Sequence, residues 1–165
     1  MTRRKVALAA AAVAAVGGFA LLLATAPRLT VLNEGFRLEY GWAPLLGAAV
    51  AAIGAIALAA VARTLPARGM AAFLAVIAVV LGVRRGTWQV GADRTALSAR
   101  TLTETSRIAW PEVRQVHSDT EALQVTGFGD TAIRIGIGGL RPHDRATLER
   151  TISRRVQESA PTAAR

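Results

Sequence analysis

Three apolar runs, all within the first 83 residues, constrain the fold more than any other feature. Residues 6–26 carry no charge over 21 positions. At about 1.5 Å per residue a helix of that length reaches roughly 31 Å, the thickness of a bilayer's hydrocarbon core. Residues 43–62 repeat the pattern over 20 positions, with Pro44 where the first helical turn accepts it. Residues 69–83 form a shorter run of 15, bounded by Arg68 and by Arg84 with Arg85. This third run spans a bilayer only if Arg68 snorkels and Leu65 to Ala67 join the helix. One such run is compatible with a soluble core helix; three in succession predict a multi-pass membrane region over residues 1–86.

The first run also resembles a secretory leader, with Arg3, Arg4 and Lys5 ahead of it and Ala24-Thr25-Ala26 behind. Pro27 would follow that cleavage point and the apolar run is long, so a retained span is expected. Side-of-membrane signals conflict. Arg3, Arg4, Lys5, Arg63 and Arg68 place the N-terminus and the second loop inside, whereas Arg84, Arg85, Arg94 and Arg100 ask for the same side. A re-entrant third segment would reconcile them.

Charge separates the two halves. Residues 1–86 hold nine basic side chains against Glu34 and Glu39, while residues 87–165 hold eleven against nine. The excess therefore flanks the apolar runs, where cations meet lipid headgroups, and a nucleic-acid partner is not expected. The Arg and Ala bias, with Lys5 as the one lysine, fits a high-GC genome. With no cysteine, disulfides and thiolate chemistry are excluded.

Between the first two runs, Phe36, Tyr40 and Trp42 alternate with Arg37 and Glu39, the pattern of an aromatic belt at headgroup level. Small residues four apart (Gly47, Ala51, Ala55, Ala59) would let helices approach closely.

From Thr87 the periodicity becomes alternating, which predicts antiparallel strands with one wet face. Trp88 and Val90, Leu97 and Ala99, Ile108 and Trp110, Leu123 and Val125, and Ile133, Ile135 and Ile137 form successive inward sets. Five or six short strands follow, making a small sheet or partly open barrel. A terminal helix over residues 142–158 is marked by Pro142, by Asp144 in its first turn, and by Leu148, Ile152 and Val156 at four-residue spacing. The expected organisation is an α+β membrane protein: a transmembrane region 1–86, a β domain with a C-terminal helix over 87–158, and a tail 159–165.

Residues 107–116, with Ile108, Trp110, Pro111, Glu112 and Val113 at their centre, resemble the core signature of bacterial pleckstrin-homology-like domains. In that family a strand ends in Trp, an acidic residue and a branched aliphatic follow, and another strand begins. The resemblance implies a partly open sheet capped by a helix, a place in the bacterial cytoplasmic membrane, and a binding or scaffolding role without catalytic residues.

Other constellations imply less. His117, Asp119 and Glu121 share a two-residue period, but no second His is near, so a solvated turn is expected in place of a metal site. Gly136-Ile137-Gly138-Gly139 precedes a helix, yet Arg141 replaces the third glycine of a dinucleotide loop. A modest anion or lipid-headgroup contact through free amides, Arg141 and Arg145 is the residual expectation. No Ser sits in a nucleophile setting and no carboxylate pair shares an apolar face, so no enzyme and no cofactor are expected. The functional expectation is a membrane-anchored interaction or sensing module that engages lipids and a protein partner or itself. The alternative is a small accessory subunit whose helices carry the assembly.

Overall fold

The computed structural model describes residues 3–159, so the expected tail beyond Ser159 lies outside the described residues. The protein is α+β: three long apolar helices, antiparallel sheets and a C-terminal helix. It divides into two compact units, each described by itself. The first comprises Met1–Thr25 and Tyr40–Thr87; the second comprises Ala26–Glu39 and Trp88–Arg165.

The first unit is built from α1 (Arg3–Ala24), α2 (Ala43–Val61) and α3 (Leu65–Thr87). All three are long and apolar enough to cross a membrane. The third is not the short segment expected: it runs 23 residues because Leu65 to Ala67 join its first turn. Pro66 is tolerated there, and the Arg68 side chain folds back to donate to Ala62 O at 3.0 Å.

The helices meet through small residues. On α1, Ala11, Ala15, Gly18 and Leu22 are buried; on α3, Ala71, Ala75, Ala78 and Gly82 are. Both sets recur at four- and three-residue steps, one stripe along each helix. The α2 helix presents Gly47, Ala51 and Gly54 to α1, and Ala48 and Ala52 to α3. A Cβ at Gly18 or Gly54 would overlap the backbone of Ala51 or Ala15, and one at Gly47 would stand 2.8 Å from Leu22 N. Those pairings run in opposite chain directions, so neighbouring helices are antiparallel. The four-residue small-side-chain spacing of α2 is thus consumed within the chain. Branched residues face outward instead: Val13, Val16, Ile53, Ile56, Phe73, Val76 and Val80 are all exposed. At the other end of the unit, the Arg85 guanidinium donates to Leu22 O and Leu23 O, closing the C-terminus of α1 with a cation.

The second unit holds eight strands. A hairpin, β1 (Arg28–Leu32) and β2 (Gly35–Glu39), turns through Asn33 and Glu34. It continues into β3 (Gln89–Ala92), β4 (Ala96–Arg100) and β5 (Thr105–Ala109), giving a five-stranded antiparallel sheet in the order β1-β2-β3-β4-β5. A second sheet contains β6 (Val113–Ser118), β7 (Ala122–Gly127) and β8 (Ala132–Gly136). Helix α4 (Pro142–Ser159) completes the unit.

The hairpin corrects the expected bounds of the transmembrane region. Residues 26–39 belong to the β unit, not to a transmembrane region continuous from 1 to 86. Phe36 and Leu38 pair opposite Ala92 and Val90, and Phe36, 2% exposed, lies in the core with Val90, Leu97, Ile108, Ile135 and Leu148. Phe36 is therefore a core residue, not a headgroup-level anchor. Gly35 lets the hairpin close on β3, since a Cβ there would overlap Ala92 O. On the wet face Arg37 bridges Glu39 at 2.9 Å and Gln89 at 3.1 Å. At the hairpin tip Arg155 of α4 donates to Glu34 O at 2.8 Å.

Candidate functional site

The signature residues form a structural corner. Strand β5 carries Ile108 into the core, a single 3-10 turn follows over Trp110–Glu112, and β6 starts at Val113. Trp110 is 1% exposed; its ring N–H donates to Asp93 O at 2.9 Å, and its backbone N–H donates to Thr95 O at 3.1 Å. A buried indole must spend its one donor, and here it ties the corner to the β3–β4 turn. Glu112 reaches back to accept from Ala109 N at 3.3 Å, while Pro111 is exposed.

The β3–β4 turn is rigid for its own reasons. The Asp93 carboxylate accepts from Thr95 N, Thr95 Oγ1 and Ala96 N at 2.6–2.8 Å. The Thr95 hydroxyl, then the turn amides, hold this carboxyl below its ordinary value, and Arg107 adds a weaker pull.

The Gly-rich loop directs several of its amides into the fold. Ile137 N and Gly138 N both donate to Glu121 O, at 2.8 and 3.1 Å, and Leu140 N donates to Ile137 O. Arg145 spends its guanidinium on the fold: it donates to Glu149 at 3.1 Å, Asp119 O at 2.9 Å and Thr120 O at 3.2 Å. Glu149 in turn accepts from Ser118 Oγ at 2.7 Å. The Ser118 hydroxyl, followed by Arg145, lowers the Glu149 carboxyl from its ordinary value. These contacts bolt α4 to the β6–β7 turn; Arg141 alone of the expected anion pair is exposed. Three of the loop's amides and the Arg145 guanidinium are thus engaged within the fold.

His117 lies on β6 and not in a turn, with an exposed side chain; Asp119 and Glu121 fall in the turn after it. Among the described residues no group of three or more His, Asp or Glu converges as metal ligands would. Of the expected aromatic belt, Tyr40 is half-buried with the Arg85 guanidinium 5.6 Å from its ring centre. Trp42, 71% exposed, precedes α2.

What the β unit offers a partner is an edge. β1 ends the five-stranded sheet and, among the described residues, pairs only with β2; its Val31 and Leu32 are exposed. An end strand presents unpaired amide and carbonyl groups to whatever chain comes alongside. Phe128, exposed on the β7–β8 turn with the Arg114 guanidinium 4.2 Å from its ring, is a second, smaller apolar feature. Sequence reasoning misses the β1 edge because Leu29-Thr30-Val31 is too short a stretch to show an alternation of its own. The alternation of Phe36 and Leu38 with Arg37 and Glu39 was the available signal.

Comparison with protein-family models, curated proteins and solved structures returns no match.

Proposed function

We propose that the chain is a multi-pass protein of the bacterial cytoplasmic membrane whose β unit is a non-catalytic binding module with a pleckstrin-homology-like fold. The observation that carries the membrane half is the outward face of the three helices. Val13, Val16, Ile53, Ile56, Phe73, Val76 and Val80 would expose branched apolar side chains to water, at roughly 25 cal/mol per Å² of apolar surface. Lipid removes that cost. The strand–turn–strand corner around Trp110, the antiparallel sheets, and a terminal helix burying Leu148 and Ile152 support the family assignment.

Antiparallel helices determine which parts share a compartment. The hairpin leaves from the end of α1 and returns at the start of α2, and β3 follows the end of α3. Strand β2 pairs with β3, so residues 26–39 and 88–159 belong on one side in this reading. If α2 crosses, α3 crosses back, and a re-entrant third segment is disfavoured.

For the module, a protein partner or a second copy of this chain is favoured over a lipid headgroup. Arg145 and three amides of the Gly-rich loop are spent internally, which leaves Arg141 alone for an anion, whereas the β1 edge is open. Strand addition along β1, with Val31 and Leu32 as side-chain anchors, is the proposed mode. An accessory subunit assembled through its helices is the second reading; the small-residue faces already consumed among α1, α2 and α3 weigh against it.

The natural absence of cysteine makes a direct test simple. Thr30→Cys on the open edge should cross-link in native membranes to one discrete adduct, and Val31→Asp with Leu32→Asp should abolish it. Gln124→Cys, exposed on the central strand β7, serves as the control. Equal, unspecific labelling of both cysteines would reject the edge as the binding surface.

A further inference from the structure

The first unit contains seven basic side chains (Arg3, Arg4, Lys5, Arg63, Arg68, Arg84, Arg85) and no carboxylate. No cation in it can be neutralised from within, so any counter-ion comes from outside the unit. At the end where α1 begins, α2 finishes and α3 starts, the helices line a cavity of about 690 Å³. Leu8, Leu58, Met70 and Leu74 contribute to its apolar wall, and Lys5 and Arg63, both exposed, stand on its lining as charged groups. The volume lies inside the ~300–1,000 Å³ range of small-molecule sites.

We infer that this cavity holds an acyl chain of an anionic phospholipid, with the lipid phosphate between Lys5 and Arg63. The inference rests on the proposed membrane insertion of α1, α2 and α3. A cationic pair without an internal partner selects an anionic headgroup; the aliphatic wall selects a hydrocarbon tail. A free phosphate would leave the apolar volume unfilled. A peptide would bring amide and carbonyl groups against a wall with few partners for them, at several kcal/mol per unsatisfied group. A phospholipid meets both ends of the site, and snorkelling Lys and Arg side chains suit a headgroup at the interface.

The test uses the full chain in nanodiscs of phosphatidylcholine and phosphatidylglycerol, extracted into mild detergent, with retained lipid counted by native mass spectrometry. Carbonate-resistant membrane association, measured first for every variant, reports insertion separately from lipid choice. The wild-type chain should retain one phosphatidylglycerol in preference to phosphatidylcholine. Lys5→Gln with Arg63→Gln should cut that preference about tenfold, roughly 1.4 kcal/mol. Arg84→Gln, which removes a charge at the opposite end of α3, should leave it unchanged. A phosphatidylglycerol with a photoreactive acyl chain should label the peptide holding Met70 and Leu74. The inference is overturned if an inserted wild-type chain retains both lipids equally. It is equally overturned if Arg84→Gln matches the double variant, or if the photolabel falls elsewhere.

Discussion

Replacing Phe36 with alanine separates a core residue from an interfacial one. In the structure Phe36 is 2% exposed and belongs to the cluster that includes Val90, Leu97, Trp110 and Ile135. Removing its ring forfeits roughly 2–3 kcal/mol of transfer free energy, and the residual cavity among β-sheet and α4 side chains brings the loss to about 3–5 kcal/mol. Domains of this size hold roughly 5–15 kcal/mol in total, so the loss is a large share. At about 1.4 kcal/mol per factor of ten, the open population of the β unit rises by roughly 10² to 4 × 10³. Amide hydrogen exchange on the full chain in detergent reads this directly in β3 and β4, which Phe36 touches only through the fold. Phe36→Leu, which keeps most of the volume, should lose less than about 1.5 kcal/mol. Trp42→Ala, at a 71% exposed position before α2, should leave β3 and β4 unchanged. Unaltered exchange in Phe36→Ala would refute the placement of the hairpin in the sheet.

The same placement predicts that a fragment of residues 88–159 alone fails to fold, because it lacks two of five strands; a sharp, dispersed amide spectrum from that fragment would contradict it. Within the helices, Gly18→Val should destabilise packing by about 1–3 kcal/mol or more, since its Cβ overlaps Ala51, while Gly17→Val, with nothing within 4 Å, should be neutral; thermal denaturation in detergent compares them. The depressed carboxyls of Asp93 and Glu149 contribute stability that is present above their unfolded values (3.8 and 4.5) and is lost as pH falls through their folded values. Glu149→Gln should therefore flatten the acid limb of the β unit's stability profile below about pH 4.5, and an unchanged limb would remove Glu149 from that account.

Much of this architecture was legible because its signals are local. Charge-free runs announce α1 and α2 within two or three residues of their ends. Ile133, Ile135 and Ile137 alternate as a half-buried strand must, and Leu148 and Ile152 keep the four-residue step that places them in the core. The failures lie where structure depends on distant partners. Phe36 and Leu38 have the same alternation as β8, but the strand that covers them, β3, lies more than fifty residues along the chain. Between two apolar helices an aromatic near Arg and Glu reads as a headgroup anchor, and nothing local distinguishes that from a strand. The third helix is longer than its charge-free run because Arg68 ends that run three residues inside the helix, and proline is at home in a first turn. In the Gly-rich segment, glycines signalled free amides, whereas Glu121 O, fifteen or more residues upstream, already accepts two of them.

Single cysteines introduced into this cysteine-free chain at Asn33, Thr64 and Thr103 test the central claim most directly. An impermeant thiol reagent, applied to intact cells and then to lysed ones, reports the side of each. Three crossing helices and a hairpin shared with the sheet predict that Asn33 and Thr103 behave alike and Thr64 opposite to both. Labelling of Thr64 together with Thr103 would contradict the account.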